Sequence, residues 1–310
     1  MSYSIKISRD DDGRRLDRTL RGIFKWVNLG EIMKAIRTGL IRVNSQKAKE
    51  PGLHLMTGDE ILVPWALDGN KSEKIITNHK PSLGKIKILF QGENVLILNK
   101  PAGILVQPDE PNGDSIISRV WAVMDSKKAA AVHRLDRNTT GVLVVALRGD
   151  SLRALEELFK QRRVRKFYLA IVAGKVKQNL LIDAPLLKDS EKNIVKVSNS
   201  GLTALTQCEK IAGDNEYSLV KLELMTGRTH QARVHMSYIN HAILGDRKYG
   251  NFAANKKLKN LTRPLLHAYE LEFPENLHES LSEISGKNFI APIPEDMKEF
   301  INFRKWEIDL

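Results

Sequence analysis

Between Arg14 and Val27, the apolar residues Leu16, Leu20, Ile23 and Val27 recur at the three- and four-residue intervals that mark one face of a helix. Arg14, Arg18, Arg21 and Lys25 repeat at the same intervals on another face, so the pattern predicts an amphipathic helix with a basic outer stripe. A second short helix fits Glu31 to Thr38, burying Ile32, Ala35 and Ile36 and exposing Lys34 and Arg37, with Gly39 suited to its C-terminal stop. Leu40-Ile41-Arg42-Val43 reads as a strand, Asn44-Ser45 as a turn, and Gly58-Asp59 as a turn before a strand from Glu60 to Val63. Residues 66–84 hold few apolar positions and several turn formers, which predicts a linker between a small domain over 12–65 and a larger one over 85–310.

In the larger segment strand-like and helix-like runs alternate. Val95 to Leu98 reads as a strand ending in the turn Asn99-Lys100-Pro101-Ala102-Gly103, and Val142 to Leu147 as a buried strand, too short for a helix and rich in valine. Leu152 to Gln161 fits a helix with Leu152, Leu155, Leu158 and Phe159 inward, and Tyr168 to Val172 and Tyr217 to Leu224 fit further strands. This mixed order, without regular βα repetition, predicts an α+β fold rather than a dinucleotide-binding sheet. No Gly-x-Gly-x-x-Gly or Walker pattern is present, and no internal repeat.

Composition narrows the field. With 310 residues, 42% of them hydrophobic, the chain can fill one large domain and a small one. No apolar stretch approaches a membrane span, and the start Met1-Ser2-Tyr3-Ser4-Ile5-Lys6 lacks the apolar region of a signal peptide. The single cysteine, Cys208, precludes a disulfide within the chain and fits a reducing cytoplasm. A formal charge of +12 and a pI near 9.6 point to a polyanionic partner, nucleic acid before membrane. The basic stripe of the first segment fits phosphate contact as well as simple solubility.

Three constellations carry candidate chemistry. His133-Arg134-Leu135-Asp136-Arg137-Asn138-Thr139-Thr140-Gly141 sets one carboxylate between two arginines just before a strand. Such an acid fits an ionised reactive group aimed from a rigid sheet, and it also fits a structural salt bridge in a turn. Arg165-Lys166-Phe167-Tyr168 sets a phenol beside two cations, either as core or as a stacking platform for an unstacked base. Thr226-Gly227-Arg228-Thr229-His230-Gln231-Ala232-Arg233-Val234-His235 is followed by Gly245-Asp246 and Tyr249-Gly250. His230, His235 and His241 do not fall at metal-ligand spacing, so arginine positioning of an acid or phosphate is the better reading.

The first segment resembles an S4 RNA-binding domain, through Arg15-Leu16-Asp17, Ile36-Arg37, Gly39-Leu40-Ile41-Arg42-Val43-Asn44 and Gly58-Asp59-Glu60-Ile61. That resemblance implies RNA contacts at Arg14, Arg18, Lys34, Arg37 and Arg42. From about Lys85 onward, Asn99-Lys100-Pro101-x-Gly103, His133-Arg134-Leu135-Asp136, Lys166-x-Tyr168 and Thr226-Gly227-Arg228-Thr229-His230-Gln231-x-Arg233-Val234-His235 resemble the RluA family of RNA pseudouridine synthases. Ile36-Arg37-x-Gly39 and the run Pro185 to Lys188 leading into Val195 to Ser198 look most like its RluC-type, large-subunit members. The resemblance implies an α+β fold with a mixed, largely antiparallel central sheet and flanking helices. It implies isomerisation of uridines in 23S ribosomal RNA to pseudouridine, after base flipping, by a cytoplasmic monomer. Such an enzyme needs no cofactor, metal, membrane or obligate protein partner.

By position, the resemblance makes Asp136 the catalytic aspartate, Tyr168 the tyrosine stacked on the target base, and Arg233 the arginine paired with the aspartate. Ile243 and Leu244 match the apolar pair beneath the base. His133, Arg134, Leu135, Lys166 and Arg228 are the remaining implied substrate contacts. Thr140 stands where the family usually has serine, Ala232 where a larger aliphatic is usual, and Ala242 where proline is common. A transfer-RNA modifier would share the chemistry, and an rRNA-binding assembly factor would share the S4 domain without needing the Asp136, Tyr168 and Arg233 set. A nucleoside glycosidase would need a second carboxylate to activate water, and none is evident near these motifs.

Overall fold

The computed structural model describes residues 3–65, 83–84, 86–109, 113–124, 128–189, 192, 194–250, 255, 258, 261–308 and 310. The chain divides into two units, Met1–Lys80 with Arg148–Arg153, and Pro81–Leu147 with Ala154–Leu310. The linker expected over 66–84 lies almost wholly outside the described residues.

In the first unit, strands β1 (Tyr3–Lys6), β2 (Arg42–Val43), β3 (Gln46–Lys47) and β4 (Glu60–Val63) form an antiparallel sheet in the order β1-β4-β2-β3. Helices α1 (Leu16–Ile23) and α2 (Leu29–Arg37) share its core, built from Leu16, Leu20, Phe24, Ile32, Ile36, Ile41, Leu55 and Ile61. The Asn28 side chain caps α2 by accepting from the Glu31 amide at 2.9 Å, one of the donors a helix start leaves unpaired. The basic helix is shorter than the spacing predicts. Phe24 leaves the helix and turns inward, with the Trp26 and Trp65 rings 5.4 and 5.3 Å from its own, so Lys25 and Val27 lie beyond α1. Arg14 precedes α1 and pairs with Asp11 at 2.9 Å. The expected strand from Leu40 is also shorter. Gly39 takes φ +70° and the Leu40 amide donates to Ala35 O at 3.0 Å, so Leu40 ends α2 instead of entering the sheet.

The second unit is organised around one sheet. Its strands are β5 (Lys87–Gln91), β6 (Val95–Lys100), β7 (Ala130–Ala131), β8 (Thr140–Ala146), β9 (Arg165–Ala173) and β10 (Leu180–Asp183). Further on come β13 (Leu205–Gly213), β14 (Tyr217–Leu224), β15 (Leu266–Glu272) and β16 (Asn288–Ile290), while β11 (Leu186–Asp189) and β12 (Ile194–Val197) pair as a separate hairpin. The order is β10-β13-β14-β9-β15-β8-β6-β5, with β16 on β15 and β7 on β8. The β8–β15 pair is parallel and the other pairs are antiparallel, so the sheet is mixed and largely antiparallel as expected. One face packs on α3 (Ile116–Val123) and α5 (Gln231–Tyr238), the other on α6 (Glu295–Phe303). Every residue of β8 is consequently buried, which is why it reads as an unbroken apolar run rather than an alternation. Helix α4 (Gly149–Lys160) directs Leu155 and Leu158 inward.

Register aligns a transverse row across five strands: Leu222, Tyr168, Ala268, Gly141 and Lys100 are successive partners. The sequence pattern puts Lys100 in a turn, but it ends β6 and is fully buried. Its Nζ donates at 2.9 Å to the carbonyls of Pro101, Arg137 and Thr139, because the last two belong to the loop entering the neighbouring strand β8. Burial pushes this amine down to about 7, although the negative charge of Asp136 opposes the shift. Three donated bonds need the ammonium, since a neutral amine would set its lone pair against a carbonyl.

Gly141 makes the row possible. It adopts φ +115°, and a Cβ there would stand 2.0 Å from Ala268 O. Gly141→Ala is expected to destabilise the second unit by about 3 kcal/mol, through combined backbone strain and collision. A lowered urea midpoint at unchanged denaturant slope checks this, and an unmoved midpoint contradicts the close approach of β8 and β15.

Candidate active site

The loop joining β7 to β8 carries Asp136, whose side chain is 24% exposed. Its guanidinium partner comes from α5, not from the arginines beside it in sequence. Arg233 Nη1 donates to Asp136 Oδ2 at 2.8 Å, while Arg137 pairs with Asp109 at 3.5 Å. Arg134 is exposed and, among the described residues, has no ion-pair or hydrogen-bond partner. The sequence expectation of a carboxylate flanked by its neighbours is corrected here. Residues adjacent in a loop point in different directions, and the pairing crosses from another element.

Arg233 is itself clamped. Its Nε and Nη2 donate to the two oxygens of Asp246 at 2.7 and 2.9 Å, and Asp246 Oδ1 also accepts the amides of Lys248 and Tyr249. Burial alone would lower the arginine and raise the aspartate. The bonds and charges they exchange outweigh it, so Arg233 moves up and the Asp246 carboxyl sits below the usual range. The Tyr249 ring lies beneath the guanidinium, 5.1 Å from centroid to Cζ. Asp246 and Tyr249 were visible in the sequence as Gly245-Asp246 and Tyr249-Gly250, but spacing gave them no role.

Three cavities meet at Asp136. One of about 540 Å³ is lined by Asp136, Tyr168, Lys166, Arg162 and Arg228, a second of about 340 Å³ by Asp136, Arg137, Arg247 and Lys248, and a small one of about 60 Å³ lies between them. Tyr168 is 9% exposed, and burial reinforced by the charge of Asp136 pushes its phenol up, so it stays protonated. Lys166 is also 9% exposed, and among the described residues it has no hydrogen-bond or ion-pair partner. Burial, with Arg162 nearby, holds its amine below the ordinary lysine range. Arg165 points elsewhere, to Glu223 and Glu272.

The remaining expected contacts divide. His133 lines the large cavity but stacks on Phe159 at 4.9 Å and accepts the Val144 amide at 3.0 Å; burial, with Lys166, pushes it down to about 3. Arg228 borders the large cavity while its Nε donates to Thr203 O at 3.0 Å. Leu135 lines the small cavity with Ala232, Leu224 and Leu266. Ile243 and Leu244 line none of the three: Ile243 bridges to Val172, and Leu244 packs with Leu169 and Ile171 in the other core. The apolar wall therefore comes from Leu224 and Leu266, two residues along from Leu222 and Ala268, the register partners of Tyr168, a placement across strands that sequence reasoning missed. His235 bonds Thr206 and Ala184 O, and His241 bonds Ala173 O, so neither joins His230. Among the described residues no group of three His, Cys, Asp or Glu could hold a metal ion.

An acid held by a buried arginine, open to basic cavities and walled by a tyrosine and leucines, suits an enzyme that receives a nucleic-acid base. The family model described as RNA pseudouridylate synthase matches residues 94–238, and the chain belongs to that family. It is 36% identical over 307 residues to the ribosomal large subunit pseudouridine synthase C of Pasteurella multocida, covering 96% of this chain and 92% of that protein. It is 33% identical over 305 residues to the protein of the same description from Escherichia coli K12, covering 95% and 94%. Among solved structures, human RNA pseudouridylate synthase domain containing 4 aligns with a TM-score of 0.58 and 26% identity, over 72% of this chain and 94% of that one.

Asp246→Asn leaves the buried Arg233 with one anionic partner fewer, and is expected to cost about 3 kcal/mol at neutral pH. Because the folded carboxyl titrates below its unfolded value of about 3.9, its contribution is complete above that pH and drains away as pH falls through the folded value. Urea midpoints of wild type and variant should therefore differ at pH 7 and converge in acid. A constant gap would contradict the ion pair.

Proposed function

We propose that this chain converts uridines of large-subunit (23S) ribosomal RNA to pseudouridine, with Asp136 acting on the sugar of an extruded nucleotide. The isomerisation breaks the N1–C1′ bond, turns the base, and forms C5–C1′; the proton lost from C5 is matched by one gained at N1. Oxidation state is unchanged. The observation that carries this reading is Asp136 itself, with one oxygen held by Arg233 and the side chain opening on cavities that Tyr168 and Lys166 border. Taking a uridine out of its stack costs a few kcal/mol, which an aromatic and apolar receptacle offsets. Tyr168, kept as the neutral phenol, fits a stacking surface and hydrogen-bond donor, with Leu224 and Leu266 as the apolar wall.

An unpartnered Lys166 in the large cavity suits an anionic substrate, since phosphate would supply the charge it lacks. The relatives described as acting on the large ribosomal subunit, and the S4-like first unit, support that RNA as substrate. On this reading the first unit grips RNA through Arg18, Lys34, Arg37 and Arg42, with Arg14 drawn partly away by Asp11.

Asp136→Asn is expected to abolish pseudouridine formation in 23S RNA while leaving RNA affinity within about twofold, as the change is isosteric and removes only the anion. Retained turnover would sink the assignment. Arg18→Glu with Arg37→Glu should weaken binding and flatten the slope of log affinity against log salt by about 2, near 0.9 for each phosphate no longer neutralised. Salt titrations of the full chain on a 23S fragment check this, and an unchanged slope would remove the first unit from recognition.

A further inference from the structure

His230 has no task in the reaction as described, yet its backbone is held in a region that residues other than glycine adopt uncommonly. It stands just before α5 with φ 55° and ψ 19°, in the left-handed region. Such strain persists where surrounding structure imposes it, and here it turns the ring into the site, where it borders all three cavities at Asp136. Nδ1 lies 2.8 Å from the Tyr249 hydroxyl, and Nε2 lies 3.8 Å from Asp136 Oδ1, the oxygen Arg233 leaves free.

The donors decide the tautomer. The Val195 amide, on β12, donates to Tyr249 Oη at 3.0 Å, so that oxygen is already accepting. Among the described residues the hydroxyl proton has one acceptor, His230 Nδ1. If Nδ1 carried the ring proton, the phenol proton would have no acceptor among the described residues and the Nε2 lone pair would face a carboxylate. With the proton on Nε2, the phenol proton is accepted and an N–H rather than a lone pair lies 3.8 Å from the carboxylate, a charge–dipole contact longer than a hydrogen bond.

We propose that His230 is a positioning residue for the isomerisation, presenting Nε2–H to the outer oxygen of Asp136 in a tautomer set by Tyr249. The proposal rests on Asp136 acting on the sugar. Arg233 then holds one oxygen by a hydrogen bond, while the neutral His230 dipole faces the other, which stays open to the substrate. The charged and titratable groups facing the ring are Asp136, Arg233, Asp246, Lys248 and Tyr249. Burial, with Arg233 and Lys248, lowers the imidazole against the pull of Asp136 and Asp246, so the ring stays neutral at pH 7.

Nitrogen-15 spectra of the full chain at pH 7 should show His230 protonated at Nε2 and bare at Nδ1; the opposite pattern overturns the proposal. His230→Asn, which tolerates the left-handed backbone but falls short of Asp136, should lower kcat about tenfold or more, with KM, RNA affinity and the unfolding midpoint preserved. His230→Gln, whose amide can extend an N–H toward Oδ1, should recover part of that loss. Wild-type turnover in His230→Asn, while Asp136→Asn is inactive, refutes the role of His230 alone. Turnover in Asp136→Asn refutes the reading beneath it.

Discussion

The Arg233 guanidinium is shared unequally between two carboxylates, and the site depends on that division. Asp246 takes Nε and Nη2, leaving Nη1 for a single oxygen of Asp136. A lone acid facing a buried cation would be held at both oxygens and spent as a salt bridge. With Asp246 saturating the fork, Asp136 is oriented yet keeps an oxygen for the substrate. Asp246 is in turn held by backbone amides that no substrate displaces, so the burial cost of the pair is offset by bonds lying outside the reaction.

Much of this was legible in the residues. The apolar run of β8 and the stretch Tyr217–Leu224 fall where pattern puts them, the first buried on both faces and the second alternating at Lys221 and Glu223. The motif residues Asp136, Tyr168, Lys166 and Arg228 line one cavity, joined by His230, to which sequence reasoning assigned no role. What pattern could not supply was partnership between distant elements. The arginines next to Asp136 looked like its counter-charges, yet its partner lies 97 positions along the chain, at the arginine that only the resemblance named. Lys100 read as a turn residue because lysine before proline usually is one; only the neighbouring loop makes its burial tolerable. Ile243 and Leu244 are as apolar as expected but line none of the three cavities, Ile243 packing in the core that holds Tyr168 and Leu244 in the opposite one, a matter of facing that local sequence does not encode.

The hairpin of β11 and β12 joins this economy from outside the main sheet. Leu186 and Val195 pack with Val234 of α5, the residue after Arg233, so the hairpin steadies the helix that carries the arginine. The same hairpin supplies the Val195 amide that fixes the Tyr249 hydroxyl. Packing and hydrogen bonding thus reach the site from one element, and a disturbance there would be felt at two of its side chains.

Strand β15, late in the chain, lies between β8 and β9 near the middle of the sheet. Strands β10, β13, β14 and β9 on one side and β8, β6 and β5 on the other meet only through it, and it is the bridge from Tyr168 to the strand that the Asp136 loop enters. Joining Tyr168 to the Asp136 loop across the sheet therefore waits on a pairing between segments far apart in sequence, the kind of contact that forms slowly.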